Sequence, residues 1–242
     1  MDASYIYSLL TKPVSDKLTV TRIVHGLQWT AAELSDGSMG IAMRYASETI
    51  PRMHGDTLVG LSARAAAEAV LSWNLEESSE AMAVINAWHN APARVPDRAV
   101  KYPFTDSCTQ GFETCGKTIG LIGHLRLGDD VLAHAKDIFV LERKPQAGDY
   151  PDSACDFLLP KCDLVLITGS AFSNKTMPHL LSLCGKVQVV VVGPSTPLCP
   201  ALLDCGVDRL CGLSTRSDES VLTTITERAE TGYFYGDAFR LE

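Results

Sequence analysis

The stretch Leu164-Val165-Leu166-Ile167-Thr168-Gly169-Ser170 decides the fold that we predict for this chain, and Val189-Val190-Val191-Val192-Gly193-Pro194-Ser195-Thr196 has the same design. Each is a short apolar run that ends in glycine and small hydroxylated residues, and a helix-like segment follows it. Such runs are typical of strands buried on both faces, as in a parallel sheet covered by helices. Since open parallel sheets bind ligands beyond the carboxyl ends of their strands, the two stretches predict a binding site at that edge.

Strands and helices alternate through the second half of the sequence. We predict strands near 118–123, 138–142, 163–168, 187–192 and 207–211. We predict helices near 127–136, 152–159, 175–184, 198–205 and 218–231. This alternation favours an α/β fold in which residues 101–242 form a Rossmann-like domain with a parallel sheet of about five strands.

The first hundred residues have an α+β pattern and predict a separate domain. The expected elements are a helix that Asp2 caps and Pro13 ends, a strand over 23–31, a turn at 35–38, a returning strand over 41–45, a helix from Asp56 to about Trp73, and a helix that Ser78 or Ser79 opens. Residues 90–116 contain three prolines and several polar positions, which is typical of a linker between domains. We therefore predict a boundary near residue 100.

Composition limits the partners of the protein. The chain has 242 residues and a formal net charge of −8, which argues against a nucleic-acid partner because phosphate binding needs a basic surface. Apolar runs fall short of the roughly 20 residues that span a bilayer, and the N-terminus lacks a signal-peptide core. We expect a cytoplasmic protein without a membrane partner. A homodimer is possible, but the sequence gives no argument about the oligomeric state.

Eight cysteines are the unusual part of the composition. They form no C-x-x-C pair, so a zinc ribbon or a thioredoxin-type redox site has no support. Without an export signal, disulfides are not expected either. We expect most of these cysteines to be small buried hydrophobes, namely Cys155, Cys162, Cys184, Cys199, Cys205 and Cys211. Whether any cysteine coordinates a metal is left open.

The segment Gly111–Thr118 matches the phosphate-loop pattern G-x-x-x-x-G-K-[ST]. A working phosphate loop needs a strand before it and a helix after it, because the helix N-terminus and curled backbone N–H groups hold the phosphates. Here a proline-rich segment precedes the motif and the apolar strand from Ile119 follows it. Lys117 would then lie at the amino end of that strand, so we interpret the motif as a chance match.

The first crossover of the predicted sheet is a better candidate for a site. The first strand ends at Gly123 and His124, and the second ends at Glu142, close to the ~20-residue spacing at which an acid binds a ribose. A complete G-x-G-x-x-G is absent from this crossover. Glu142 can equally be a solvated carboxylate at a strand end, and His124 can be a ligand, a general base or a loop residue.

Two later loops supply small polar groups. Ser170, Asn174 and Thr176 can cap the helix that follows or contact a ligand. The loop Gly193-Pro194-Ser195 offers backbone N–H groups and a hydroxyl to an anion. Neither loop contains the G-x-S-x-G elbow of a hydrolase, so the catalytic residues, if there are any, stay unknown.

Five strings occur in an order that resembles a known two-domain family of unknown function labelled for heavy-metal chelation. They are Gly148-Asp149-Tyr150-Pro151, Leu158-Leu159-Pro160 with Asp163, Ile167-Thr168-Gly169-Ser170-Ala171 with Asn174 and Thr176, Gly193-Pro194-Ser195-Thr196-Pro197, and Gly206-Val207-Asp208. Members of this family join an enolase-N-terminal-like α+β domain to a Rossmann-like domain. Gly26, Trp29-Thr30 and Ile85-Asn86-Ala87 extend the resemblance to the first half of the chain.

The resemblance implies a site in the cleft between the two domains. The positions that match are Asn86, Gly123, His124, Glu142, Thr168, Gly169, Asn174, Gly193, Pro194 and Ser195. The implied ligand is a heavy or transition metal ion, a metal chelate or a small anionic metallo-cofactor. The sequence contains no compact His, Cys and Asp cluster with metal-ligand spacing, which favours a chelated metal over direct coordination. An enzyme that uses S-adenosylmethionine or NAD, with Glu142 on the ribose, and a regulatory module without catalysis are the alternatives.

Overall fold

The computed structural model describes residues 3–46, 50–102, 108–125, 127, 132–227 and 236–242. The described strands are β1 (Val20–His25), β2 (Trp29–Leu34), β3 (Ser38–Met43), β4 (Val100–Tyr102), β5 (Thr118–Ile122), β6 (Asp137–Glu142), β7 (Tyr150–Pro151), β8 (Leu164–Thr168), β9 (Gln188–Val192), β10 (Arg209–Arg216) and β11 (Gly236–Leu241). The described α-helices are α1 (Ala3–Thr11), α2 (Ala63–Glu68), α3 (Leu75–His89), α4 (Cys155–Leu158), α5 (Ser170–Ser173), α6 (Met177–Cys184) and α7 (Glu219–Glu227).

All of these strands belong to one large mixed sheet. Its order is β1-β2-β3-β10-β9-β8-β5-β6-β7, with β11 beside β10 and β4 beside β11. The strands from β5 to β10 pair in parallel along this path, whereas β1, β2 and β3 form an antiparallel meander. β10 connects the two parts, because its start pairs in parallel with β9 and its end pairs with β3 at Thr215↔Met39.

The parallel strands end at a common edge of the sheet. Ile122 of β5 lies opposite Leu141 of β6 and Ile167 of β8, and Thr168 lies opposite Val192 of β9. The predicted strands of the second half are therefore confirmed, β10 being several residues longer than expected. β8 and β9 are buried over most of their length, as expected for strands covered on both faces, whereas β6 is partly exposed.

The helices of the second half are mostly confirmed in place, although not always in type. Residues 152–161 form two 3₁₀ turns around α4, residues 200–205 form a 3₁₀ helix, and α7 covers the described part of the predicted helix over 218–231. Of the helix predicted near 127–136, residues 128–131 lie outside the described residues, and residues 133–136 form a turn and a bend, so the end of this predicted helix is wrong. Lys117 precedes β5 and its Nζ lies 3.6 Å from Asp163 Oδ1 at the amino edge, which confirms that the phosphate-loop pattern lacks its required context.

The predicted strand over 23–31 is wrong, because the chain reverses direction at residues 26–28. The Gly26 N–H donates to the Trp29 carbonyl at 2.8 Å, and β1 pairs with β2 from His25↔Thr30 onward. A Cβ on Gly26 would lie 1.8 Å from the Ile225 carbonyl oxygen, so glycine is required where α7 crosses this turn. The hairpin predicted around 35–38 is present as β2 and β3, and it is the second hairpin of a meander.

Two helix starts also differ from the prediction. α2 begins after Ser62, whose side chain accepts from the Ala65 N–H, and not at Asp56. α3 begins after Asn74, whose side chain accepts from the Glu77 N–H, and not at Ser78 or Ser79. Asn and Ser both cap helices well, so local sequence alone did not separate the real caps from their neighbours. The predicted cap Asp2 lies outside the described residues.

The hydrophobic core runs across both halves of the chain. One cluster contains Leu10 and Ile85 from the first half together with Phe172 and Leu202 from the second. The Tyr7 hydroxyl donates to the Phe172 carbonyl at 2.9 Å within this core. The division into domains at residue 100 stays a prediction. Among the described residues, no helix has both the length and the apolar character needed to cross a membrane.

Candidate functional site

The carboxyl ends of β8 and β9 interlock through a glycine that tolerates no side chain. The Gly169 N–H donates to the Val192 carbonyl at 2.9 Å. A Cβ on Gly169 would lie 2.5 Å from Thr196 Oγ1 and 2.6 Å from the Thr196 nitrogen. The two junctions on which the fold prediction rests therefore pack against each other at the edge of the sheet.

Small hydroxyl groups surround this contact. Thr168 Oγ1 and Ser170 Oγ are 3.0 Å apart, and either can be the donor. Ser195 Oγ accepts from the Met43 N–H at 2.8 Å, so the β9 loop contacts the end of β3. Thr196 Oγ1 is buried and has no hydrogen-bond partner among the described residues. Gly193 has a φ of +114°, which lets the loop turn sharply between β9 and Ser195, with Pro194 part-buried between them.

Asn174 connects the same edge to the first half of the chain. Its Nδ2 donates to the Tyr45 hydroxyl at 3.1 Å, and its Oδ1 accepts from the Thr176 N–H at 3.1 Å and from the Thr176 hydroxyl at 2.7 Å. The second contact orders the turn before α6, but it does not cap that helix. Thr176 is the N-cap residue of α6 and no described side chain bonds to the free N–H groups there, so the predicted capping by Asn174 and Thr176 is wrong. Both halves therefore supply polar atoms at this edge, Met43 and Tyr45 from one and Ser195 and Asn174 from the other.

His124 lies between two carboxylates at the ends of β5 and β6. Its Nδ1 is 3.3 Å from Glu142 Oε1, and its Nε2 is 2.8 Å from Asp149 Oδ2. The backbone N–H of His124 also donates to Glu142 Oε1 at 3.1 Å, and the backbone N–H of Arg143 donates to Glu142 Oε2 at 3.0 Å. Because the carboxylates face opposite sides of the imidazole, this group can hold or exchange a proton but does not converge on a metal position.

The two groups of polar residues are neighbours across β5 and β8. A Cβ on Gly123, whose φ is +93°, would lie 3.2 Å from Thr168 Cγ2 and 3.9 Å from Glu142 Oε1. The glycine at position 123 thus lets the ends of β5 and β8 approach each other closely, with the Thr168 methyl group on one side and Glu142 on the other. The edge therefore has the hydroxyls of Thr168 and Ser170 and the Asn174 amide on one side, and the carboxylates around His124 on the other.

Asn86, another predicted site residue, makes its described hydrogen bond away from the carboxyl-edge contacts. It is buried on α3, and its Nδ2 donates to the Ile41 carbonyl of β3 at 2.8 Å. Its Oδ1 has no hydrogen-bond partner among the described residues. In the described contacts, Asn86 therefore fastens α3 to β3, on the first-half side of the molecule.

Sequence reasoning missed Asp149 and Lys175. Asp149 lies in the Gly148-Asp149-Tyr150-Pro151 string that carried the resemblance, but its partnership with His124 is visible only in three dimensions. Lys175 has a φ of 69°, which is uncommon for a non-glycine residue. Its Nζ contacts the Val70 carbonyl and Ser78 Oγ and lies 5.3 Å from the centre of the Tyr7 ring. Burial lowers the pKa of this lysine to about 8.

The six cysteines expected to be small buried hydrophobes are buried, and so is Cys108, whereas Cys115 is exposed. Among the described residues, no group of three or more His, Cys, Asp or Glu side chains could hold a metal ion. The polar groups at the carboxyl edge are hydroxyls, an amide and the buried Thr196 Oγ1, which has no hydrogen-bond partner among the described residues. These groups suit the polar periphery of a metal complex better than a bare heavy-metal ion, because such an ion prefers thiolate or imidazole ligands.

The fold and this edge define a mixed α/β protein whose two halves bring polar groups together beyond the ends of parallel strands. The chain belongs to the DUF364 family, whose model, described as “Putative heavy-metal chelation”, matches residues 111–238. A second family model with the same description, DUF4213, matches residues 7–89. The resemblance found in the sequence is thereby confirmed.

Solved structures of the same family are similar over essentially the whole chain. A DUF364 protein of unknown function from Desulfitobacterium hafniense DCB-2 has 29% sequence identity and a TM-score of 0.84, with 98% of each chain covered. Another, from Pyrococcus horikoshii, has 20% identity and a TM-score of 0.79, with 100% of each chain covered, and shows likeness of fold alone. No curated protein matches the sequence.

Proposed function

We propose that this protein binds a metal in chelated form, as a metal chelate or a small anionic metallo-cofactor, between its first 100 residues and residues 101–242. The family description supports the metal, since both matching models refer to heavy-metal chelation. We propose further that the two parts are an enolase-N-terminal-like and a Rossmann-like domain. Their antiparallel and parallel sheet regions, which differ in character, support this division.

The observation that carries the proposal is the strand order. Counted from β5, the parallel strands run 3-2-1-4-5-6 across the sheet, the order of doubly wound dinucleotide-binding folds. In such sheets the ligand binds where the strand order reverses, because the loops there leave in opposite directions and open a crevice. Here that position lies between β5 and β8, with Gly123 and His124 on one side and Thr168 and Gly169 on the other.

The contacts between the two parts favour a ligand that both of them touch. Ser195 and Asn174 already bond to Met43 and Tyr45, so a ligand near Thr168 would have both parts within reach. Hydroxyl and amide groups recognise the carboxylate or hydroxyl groups of a chelate, whose own atoms would hold the metal. In this proposal the protein selects the complex by its polar surface, and His124 with its carboxylates supplies or accepts a proton at its edge.

The nucleotide alternative shares this strand order but receives no support from the acid at the end of β6. Both Glu142 oxygens already accept backbone N–H groups, so a ribose hydroxyl would have to share this carboxylate with the His124 and Arg143 amides. The matching families and structures name no nucleotide. We therefore do not propose a nucleotide-dependent enzyme.

Thermal unfolding with defined metal complexes tests the proposal. Protein purified without added metal is analysed for metals, and its Tm is measured with Ni²⁺, Cu²⁺, Zn²⁺ and Fe³⁺ as free ions and as nitrilotriacetate or citrate complexes. A complex at about 100 times its Kd stabilises the folded state by about 2.7 kcal/mol, which corresponds to a rise in Tm of about 5–10 °C for a chain of this size. Thr168→Val should reduce that rise strongly.

Thr118→Val is the matched control, because Thr118 occupies the opposite, amino end of the neighbouring strand β5. This variant should keep the ligand-dependent rise in Tm. Protein that retains no metal and shows no shift with any ion or complex would refute the proposed function. Equal losses in the two threonine variants would refute the position of the site.

A further inference from the structure

Tyr45 brings a phenol from the first half of the chain to the carboxyl edge of the sheet. Its hydroxyl accepts from Asn174 Nδ2 at 3.1 Å, across the boundary between the two halves. The backbone N–H of Asn174 donates in turn to the Ser170 carbonyl at 3.2 Å, and Ser170 Oγ lies 3.0 Å from Thr168 Oγ1. A series of short contacts therefore connects the phenol to the threonine at the end of β8, where the proposed chelate binds.

The backbone around Tyr45 is fixed as well as its hydroxyl. The Tyr45 backbone N–H donates to Ser79 Oγ of α3 at 3.1 Å, and Ser79 is buried. The guanidinium of the preceding residue, Arg44, donates from Nε to Glu76 Oε1 at 3.0 Å. These contacts hold the chain where it leaves β3, so the phenol occupies a defined position before a ligand arrives. A group that is already ordered loses little conformational entropy when it binds.

The Tyr45 oxygen has unused bonding capacity. A phenol carries one hydrogen and can also accept hydrogen bonds, and Asn174 Nδ2 uses part of that accepting capacity. Among the residues that the structure describes, no group accepts the hydroxyl hydrogen of Tyr45. The hydroxyl can therefore donate to a ligand or, after loss of its proton, give an electron pair to a cation. The Asn174 amide can remain a donor to the same oxygen in both cases.

The side chains near this phenol cannot hold a bare metal ion by themselves. In the part of the chain that the structure describes, no group of three or more His, Cys, Asp or Glu residues could hold a metal. A metal at this edge would therefore take most of its ligands from its chelator. A coordination position that the chelator leaves open can be filled by a phenolate, which is a hard oxygen ligand that binds ferric iron.

We propose that Tyr45 completes the coordination of a chelated hard cation such as Fe³⁺, an inference that rests on the proposed function. The Tyr45 O–H bond breaks, the proton passes to solvent, and the phenol oxygen donates an electron pair to the cation in place of a water molecule. The cation keeps its oxidation state. Asn174 continues to donate to the Tyr45 oxygen, while the hydroxyls of Thr168 and Ser170 contact the chelator.

Visible absorbance of the full chain with ferric nitrilotriacetate tests the role of Tyr45. This chelator leaves coordination positions of Fe³⁺ open, and a phenolate bound to Fe³⁺ produces a charge-transfer band in the visible range. We expect the band with the wild type and its loss in Tyr45→Phe, together with a Kd for the complex that is at least about tenfold weaker. Ferric diethylenetriaminepentaacetate should produce no band, because that chelator fills the coordination sphere.

Tyr5→Phe is the matched control. It makes the same chemical change at a phenol on α1 that is exposed to solvent. If Fe³⁺ bound nonspecifically to accessible phenols, Tyr5 would contribute to the band, whereas the proposed coordination requires Tyr45 alone. Tyr5→Phe should therefore keep the full band. A band that survives in Tyr45→Phe, or one that decreases equally in both variants, would overturn the proposal.

The rise in Tm with ferric nitrilotriacetate separates the role of Tyr45 from the fate of the proposed function. A wild type that shows the rise without the band binds the chelate but does not coordinate its metal through Tyr45, which refutes only the present proposal. A wild type with neither the rise nor the band, with any ferric chelate, refutes both. If Tyr45→Phe fails to fold, resonance Raman spectra of the wild type excited in the band decide: enhanced phenolate ring vibrations are expected, and their absence would refute coordination by tyrosine.

Discussion

Replacing Lys175 by methionine should stabilise the protein at neutral pH, because the native lysine holds a charge in a largely buried place. Burial lowers its pKa from 10.5 to about 8. At about 1.4 kcal/mol per pKa unit, this shift corresponds to a cost of about 3 kcal/mol for the charged form. Methionine removes that cost but also removes the lysine donor from the Ser78 hydroxyl and from the Val70 carbonyl, which keeps only the Ser78 hydroxyl at 3.3 Å; this loss costs about 1–2 kcal/mol. The expected net gain is about 1–2 kcal/mol.

The pH dependence of this effect has a defined sign. Between pH 8 and 10.5 the unfolded chain carries a proton on Lys175 that the folded chain lacks, so the free energy of unfolding of the wild type rises with pH. Below pH 8 both states are protonated and the full cost of the buried charge is present. From pH 8 to 9.5 the wild type should gain about 2 kcal/mol relative to Lys175→Met.

Urea unfolding of both proteins at pH 7, 8, 9 and 9.5 measures this difference. Taking the difference at each pH cancels the other titrating groups, including Tyr7, whose pKa burial raises. Lys175→Arg serves as the opposite control, because arginine stays charged over this whole pH range. The free energy of unfolding of this variant should therefore decrease relative to that of the wild type as pH rises. A gap between the wild type and Lys175→Met that does not change with pH would refute the assignment of a buried, titrating lysine.

Two further predictions concern a glycine at the site and a histidine in the core. Gly169→Ala should destabilise the protein by about 1–3 kcal/mol, because the new Cβ would lie 2.5 Å from Thr196 Oγ1. Thermal unfolding measures this loss. Gly148→Ala is the control: a Cβ there meets no atom within 4 Å, so this variant should show only the cost of a positive φ. His89 donates from Nε2 to the Leu10 carbonyl at 2.9 Å, and burial lowers its pKa to about 4. As pH falls from 6.5 toward 4, His89 takes up a proton in the unfolded chain but stays neutral in the folded protein. The free energy of unfolding should therefore fall by about 2 kcal/mol by pH 5. Urea unfolding of the wild type and of His89→Gln measures this fall, and an equal fall in the variant would contradict the assignment.

The parallel half of the fold could be predicted because its signal is local. β8 and β9 are covered on both faces, so each is an unbroken apolar run, and the glycine and hydroxyl residues that end it mark the edge. The first half lacks such a signal. Ile23, His25, Leu27 and Trp29 continue a two-residue alternation straight through a turn, so the pattern concealed the hairpin that Gly26 creates against α7.

Site contacts that join distant parts of the chain could not be predicted in the same way. Asp149 reaches His124 across 25 residues, and Asn174 reaches Tyr45 across 129. Composition and spacing identify which residues can make such bonds, but the pairing depends on how the strands are ordered. The string that contains Asp149 is part of the family resemblance, whereas the contact of Asp149 with His124 depends on the return of the chain beside β6.

Chemical hardness limits what the carboxyl edge can bind. This edge offers hydroxyl, amide and carboxylate groups, which suit hard ions or the oxygen-rich surface of a chelate. Soft ions bind sulfur directly, so they have no matching group at this edge. An iron or nickel complex should therefore lose its rise in Tm in Thr168→Val, whereas any response to free Hg²⁺ should be the same in this variant and in the wild type. A response to Hg²⁺ that disappeared with Thr168 would mean that the carboxyl edge binds soft ions directly, which would contradict this reasoning.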